Sequence, residues 1–597
     1  MFKSHHGQVV VSVVGAILTV TVVSSVCRRS FRLGRRNRKQ RQHNSQLQCA
    51  VQHGRCTDVQ TFQWLTSSAD IAAAYAPQMT SIQLVNTPEN ASIGCLHPLV
   101  CTFMELRQLS LVGTRLVHIP YSLPALQKLE ELQLSRNTIV CVPGEIGAMT
   151  SLRSLDLSHN QIQTLPSSLC KLTNLTALNL MGNKLSKLPD DIGNLHNLRI
   201  LGLKSNMLVT LPQSFTRLSS LVELFITDNQ LTSLPEGFGA LTSLVKLQAS
   251  FNCFSHLPID LLHAPNLELM RVAVCHLSQL PDQLMHLPTH LIHDEEVSGD
   301  TGSLVRSNGN QEEGHLDSAE DPVVFPKLAW FSLGGNPACA PLPKPRPGLL
   351  HFSASDLTMG EKLGDGASGE VSRASLHKGD AESGQQAVAV KTFRSDISPD
   401  GRTQEEVAIA CALDHPNLTR VIGIVPGPAQ IPPAEQPLLV MDIISGQPMA
   451  AKPTSKHLLR CRWAEGERFE ASLLLQIAKD LAAALGYLHS LHICHGDVYA
   501  HNVLLDRQQG KATLCDFGAA FAYRSEDWFW ERMEVRAYGL LLHDMVERMQ
   551  SPPSQCALGV QRLQQLVQAC MEAPPWLRLN FKSIGFELEE LRQSLLC

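Results

Sequence analysis

The run Cys494-His495-Gly496-Asp497-Val498-Tyr499-Ala500-His501-Asn502 sets an aspartate five residues before an asparagine, and Asp516-Phe517-Gly518 opens fourteen residues further on. Phosphoryl transfer from a nucleotide uses such a set. One carboxylate orients the attacking hydroxyl, while an amide and a second carboxylate hold Mg²⁺. A lone H-x-D is common and means little; the joint spacing is what carries the chemistry.

The rest of a nucleotide site appears upstream in order. Leu363-Gly364-Asp365-Gly366-Ala367-Ser368-Gly369-Glu370-Val371 fits G-x-G-x-x-G-x-V, whose glycines let backbone approach phosphates with no Cβ in the way. Val388-Ala389-Val390-Lys391 then offers a strand lysine for the phosphates. Fifteen residues later Glu406 lies on an apolar-periodic segment with Val407, Ile409, Ala410 and Leu413, placed to pair with Lys391. Glu405 is the competing candidate, but a helix turns about 100° per residue, so only one of the two faces inward. Glu406 is the expected partner.

From about residue 357 to the C-terminus the chain resembles a protein kinase catalytic domain. Leu439-Val440-Met441-Asp442 is similar to the strand that enters the hinge, with Met441 as gatekeeper and Asp442 opening the hinge. Pro575, Arg578 and Phe581 resemble the P-x-x-R-P-x-F of the large lobe, with Leu579 in place of its second proline. The resemblance implies ATP and Mg²⁺ as cofactors. Gly364, Gly366, Gly369, Val371, Lys391, Met441 and Asp442 would bind the nucleotide, and Asn502 and Asp516 the metal. Asp497, Lys391 and Glu406 would be the catalytic set.

Four departures qualify the resemblance. Gly496 stands where the family has an arginine, so the cation that grips a phosphorylated activation loop is missing. Tyr499 replaces the lysine usual in serine/threonine kinases. A-P-E is absent, and Glu534, only eighteen positions after Asp516, opens what reads as the next helix. Activation-loop phosphorylation at Tyr523 or Ser525 is therefore not expected to be the switch. His-Gly-Asp also occurs in aminoglycoside and choline phosphotransferases, but those usually lack D-F-G and the His415-Pro416-Asn417 seen here. H-G-D-V-Y-A-H-N resembles a subset of leucine-rich-repeat kinases. An ATP-dependent protein kinase is the leading reading, with a pseudokinase scaffold and a small-molecule phosphotransferase as alternatives. Tyr499 removes the lysine signal and His501 stands where tyrosine kinases place an arginine, so the residues leave specificity open and serine/threonine is preferred on family frequency alone.

An internal repeat precedes this domain. Leu106, Leu129, Leu152, Leu175, Leu198, Leu221, Leu244 and Leu267 are spaced by 23 residues, and the frame reads L-x-x-L-x-L-x-x-N. Asn137, Asn160, Asn183, Asn206, Asn229 and Asn252 hold its ninth position, with Cys275 as a substitute. Alternating leucines of a short strand point inward, and no unit buries its apolar face alone, so neighbours must stack. Residues 293–322, poor in apolar side chains, are expected to be a disordered insertion. Leu328 to Asn336 restores the frame as a terminal unit, and five prolines between 337 and 347 make a stiff exit. The frame resembles leucine-rich repeats, and that resemblance implies protein binding through the concave strand face, here carrying Gln133, Asp156, Asn179, Gly202, Phe225, Gln248 and Arg271. Phe225 and Phe251 are candidate partner anchors, or else simply pack against flanking loops.

Val9 to Cys27 is an uncharged run of 19 residues, about 28 Å as a helix, followed by eight basic residues between 28 and 41. The positive-inside bias puts those residues, and both domains after them, in the cytosol. A cleaved signal peptide is the competing reading, although basic clusters normally precede such a core. Formal net charge is −5, and −13 without that basic block, which argues against nucleic acid as a partner. Seventeen cysteines with no C-x-x-C suit reduced thiols rather than a zinc site or disulfide framework.

The expected architecture is thus α/β in class. A transmembrane anchor (9–27) and a basic juxtamembrane segment (28–75) lead into a leucine-rich-repeat solenoid (76–345) and a two-lobed kinase-like α+β domain (357–597). The membrane and a protein substrate or regulator on the concave face are its expected partners.

Overall fold

The computed structural model describes residues 95–281 and most of 325–595, with shorter stretches between 55 and 85. The expected anchor, basic segment and insertion 293–322 lie outside the described residues. The chain divides into two compact units: one reaches Leu247 and includes 251–253, while the other takes 248–250 and everything from Phe254 onward. The last repeats therefore belong with the C-terminal domain.

In the first unit, three-residue strands stack in parallel. Leu155, Leu178, Leu201 and Leu224 sit opposite one another in successive strands and are almost wholly buried. Each buried asparagine closes the turn behind its strand. Asn183 Nδ2 donates to the Leu157 and Leu180 carbonyls at 3.0 and 2.9 Å, and Asn183 Oδ1 accepts from the Ile162 amide at 3.0 Å. The residue preceding the asparagine takes a left-handed conformation, as at His159, Ser205 and Asp228. On the convex side, Pro166 fixes extended backbone ahead of the 3₁₀ turn Ser167–Lys171, which buries Leu169.

One expectation needs correction here, and of the two readings left open for Phe225 and Phe251 the packing one gains support. Arg55–Cys56, assigned ahead of the repeats, is a strand paired in parallel with Ser81–Ile82, itself paired with Gln108–Leu109. Arg55–Cys56 buries a cysteine rather than a leucine and lies ahead of the range the leucine period suggested, whereas Ser81–Val85, burying Ile82 and Leu84, lies inside it. Phe225 is half-buried with the Lys246 amine 5.0 Å from its ring centre, and Phe251 is a left-handed turn residue; neither stands free on the face.

In the second unit, strands Leu269–Arg271 and Trp330–Ser332 pair in parallel, and Asn336 donates to the Val272 and Leu333 carbonyls as the repeat asparagines do. After the proline-rich exit, five antiparallel strands form a small lobe in the order Val421–Val425, Leu438–Asp442, Gln386–Phe393, Gly369–Leu376, Leu357–Asp365, flanked by Leu350–His351. Its core joins Ala374, Leu376, Val388, Val390 and Val440. Helix Thr403–Ala412 leans on this sheet. The large lobe is helical, built around Ala471–Ser490. That helix is long and apolar enough to cross a membrane, but it is mostly buried in the lobe.

Helix Phe529–Val546 starts thirteen residues after Asp516, five before the Glu534 that the sequence suggested as its opening. Trp530 and Met533 are buried in that added turn, so packing extends the helix backward.

Candidate functional site

Lys391 leaves the middle of an inner strand and is 8% exposed. Its amine pairs with Glu406 and lies 3.3 Å from Asp516 Oδ1. Glu405 turns away, its carboxylate facing the Arg402 amide at the start of the helix. Burial works against the lysine charge, but Asp516 and Glu406 overcome it and hold the amine protonated above its ordinary range. Burial likewise opposes the Asp516 charge, yet Lys391 and Lys452 hold that carboxyl down at about 2. It therefore stays ionised.

The catalytic-loop candidates assemble beside it. Asn502 Nδ2 donates to the Asp497 carbonyl and to Asp497 Oδ2, both at 2.9 Å. His495 Nε2 donates to the Cys515 carbonyl, while His495 Nδ1 accepts from the Asp497 amide. The Phe517 ring packs on His495 at 5.3 Å. Behind the loop, buried Glu534 accepts from the Gly496 amide at 2.7 Å and lies 2.9 Å from His489 Nε2.

The glycine-rich turn closes through Gly366, whose amide donates to Gly369. A Cβ on Gly369 would meet the Thr392 carbonyl oxygen at 2.2 Å, so that residue must be glycine; one on Gly364 would meet open space. Val371 and Met441 are half-buried, and Asp442, capped by Arg420 at 3.6 Å, begins the link between the lobes.

The family model for protein tyrosine and serine/threonine kinases matches residues 357–538, and leucine-rich-repeat models match 104–162 and 169–284. This chain carries leucine-rich repeats and a protein kinase domain. It is similar to the transforming tyrosine kinase Fps of Fujinami sarcoma virus, at 24% identity over 40% of this chain and 30% of that protein. The probable serine/threonine kinase kinY of Dictyostelium discoideum is 29% identical over 28% of each chain. The inhibitor of nuclear factor kappa-B kinase subunit beta of Bos taurus is 33% identical over 26% of this chain and 19% of its own. The matched region thus spans less than a third of each of these relatives.

Three residues around this kinase domain's catalytic loop escaped sequence reasoning. Arg271, expected on a partner-binding face, is 3% exposed and pairs instead with Asp497 of the catalytic loop. Trp330 of the terminal repeat stacks on Tyr499, with ring centres 4.4 Å apart and planes within 4°, and its Nε1 donates to the Val498 carbonyl at 3.0 Å. Phe331 packs between Phe521 and Trp530.

Proposed function

We propose that this chain is an ATP-dependent protein kinase, preferring serine or threonine, whose repeats recruit a substrate or regulator. The observation that carries this reading is Lys391 held between Glu406 and Asp516 while Asn502 fixes Asp497. Mg²⁺ and ATP fit the residues present. Asp516 is an ionised oxygen donor, and Asn502 turns its amide nitrogen to Asp497, which leaves its carbonyl oxygen for a hard cation. Such a cation, when bound, neutralises charge on the phosphates. With nucleotide bound, Lys391 would steady the α- and β-phosphates, the glycine turn would cover them, and Asp497 would accept the proton of the incoming hydroxyl.

The repeats raise the local concentration of whatever they hold. The run 9–27 anchors the chain with both domains in the cytosol. Protease added to sealed vesicles of cytosol-outward orientation should then digest both domains; protection until detergent is added would overturn this topology.

The test of activity uses the full chain with radiolabelled ATP, generic serine, threonine and tyrosine peptides, and an aminoglycoside and choline panel. Label on peptide, absent from Asp516→Asn, supports the kinase reading. Label on a small molecule alone would replace it. Arg271 on Asp497 favours a second reading, a scaffold that binds nucleotide without transfer. ATP binding with no labelled product would select that one.

A further inference from the structure

The catalytic loop of this kinase domain, residues 494–502, carries no lysine or arginine beside Asp497. Position 496 is glycine and position 499 is tyrosine. Both are explained by what packs there. Gly496 has φ +74°, and a Cβ on it would lie 2.3 Å from the Phe331 carbonyl oxygen and 2.8 Å from that of Ala519. The Phe331 amide donates to the Gly496 carbonyl at 3.1 Å. Tyr499 is covered by Trp330. The terminal repeat strand leaves no room for a side chain at 496, and at 499 it offers an aromatic face that a tyrosine covers and a charged side chain would not.

That same repeat region returns a cation to the site. Arg271 Nη2 pairs with Asp497 Oδ1, and Nη1 donates to the Gly496 carbonyl at 3.0 Å. Its Nε lies 2.8 Å from Asp400 Oδ1. Asp400 sits just before helix Thr403–Ala412, which carries Glu406, and its carbonyl accepts from the Ser332 hydroxyl. One guanidinium therefore ties the catalytic loop to the segment that leads into the Glu406 helix.

We propose that Arg271 is the positioning cation of the catalytic loop, fixing Asp497 for the incoming hydroxyl and supplying the charge that positions 496 and 499 lack. The inference rests on the kinase reading above. It departs from a simple plug for two reasons. Arg271 is locked by two carboxylates and a carbonyl and is nearly sealed from solvent, so it is part of the core rather than a movable arm. Moreover, Lys391, Glu406 and Asp516 are assembled while it is in place, which an arginine that disassembles the site would not allow. A fixed charge in a water-poor site acts strongly on charge that develops during transfer. Asp497 is held on both oxygens, by Arg271 and by Asn502, so its orientation is over-determined.

The test compares kcat and KM for ATP of the full chain as wild type, R271M, R271Q and R271K, with unfolding midpoints recorded for each. R271M should lose roughly a hundredfold in kcat with KM for ATP changed less than about threefold, and R271K should recover about tenfold of that loss. Merely structural damage would move KM and the midpoint together, with no rescue by lysine. Should R271M fail to fold, R271Q, which keeps hydrogen-bonding atoms but not charge, decides in its place. A rise in kcat on removing Arg271 would make it an inhibitory plug and overturn the inference. Unchanged kcat in R271M with an active wild type would also overturn it while leaving the kinase reading intact. Transfer absent from wild type and every variant would remove the kinase reading and the inference together.

Discussion

Gly496 and Phe331 meet backbone to backbone, the Phe331 amide donating to the Gly496 carbonyl at 3.1 Å, with no room for a Cβ between them. A residue of the catalytic loop is thus fixed by a residue of the last repeat. Gly496→Ala should cost on the order of 2–4 kcal/mol, from left-handed strain plus overpacking against a carbonyl. Denaturant unfolding of the full chain measures it. A midpoint equal to that of the wild type would mean that the strand does not press on the loop.

The repeat turns offer a second check. Asn183→Ala removes an amide that serves the Leu157 and Leu180 carbonyls and the Ile162 amide, all buried. Leaving such groups unsatisfied costs about 2–3 kcal/mol. Asn174→Ala is the control, because its one bond, to the Thr150 carbonyl, is exposed. Equal losses from the two variants would contradict the role of the buried amide.

Tyr523 is 2% exposed; its hydroxyl donates to Glu531 at 2.6 Å and lies 3.2 Å from the His489 carbonyl. It is a core group that a protein kinase could not reach without local unfolding. Ser525 is exposed. The double variant Tyr523→Phe, Ser525→Ala should lose about 1 kcal/mol of stability and change kcat by less than about threefold, roughly 0.6 kcal/mol in barrier. A hundredfold loss of kcat restored by an acidic residue at 525 would reveal a phosphorylation switch.

Asp516, held at about 2 against an ordinary 3.8, links the site to acid stability. A carboxylate whose folded pKa lies below its unfolded one stabilises fully above the unfolded value and loses that contribution as pH falls to the folded one. The window is therefore about pH 4 to 2, with no slope from this group between pH 5 and 8. Asp516→Asn should flatten the acid limb of stability in that window and abolish transfer at pH 7. Parallel limbs for the two proteins would show that the pairing with Lys391 does not operate.

Lys391, Glu406, Asp497, Asn502 and Asp516 were legible because each stands at a short, fixed distance from another recognisable residue. Helical rotation required that only one of Glu405 and Glu406 face inward, and the spacing from Lys391 together with the apolar period around it favoured Glu406. The repeat strands were legible from a 23-residue period, which failed at Arg55–Cys56, where a cysteine does the burying. Arg271 was hidden for a different reason. It is 226 positions from Asp497, and its slot in the repeat has the same form as that of Gln133 or Asp156. Sequence distance carries no signal for such a pair. The available hint was a coincidence: a loop that had lost its basic residues, and an arginine and a tryptophan in the last two repeats.

The packing of Trp330 on Tyr499 and of Phe331 on Gly496 also constrains how this chain can change by mutation. Residues 271, 330, 496 and 499 form one epistatic unit, because residues in mutual contact do not contribute additively. Changing Gly496 to arginine or Tyr499 to lysine restores the more common kinase residues on paper, yet the first would collide with the Phe331 carbonyl and the second would lose the Trp330 stacking and bury a charge in its place. The reverse path needs several substitutions at once, so single steps toward the ordinary catalytic loop lead downhill in fitness before they lead anywhere else.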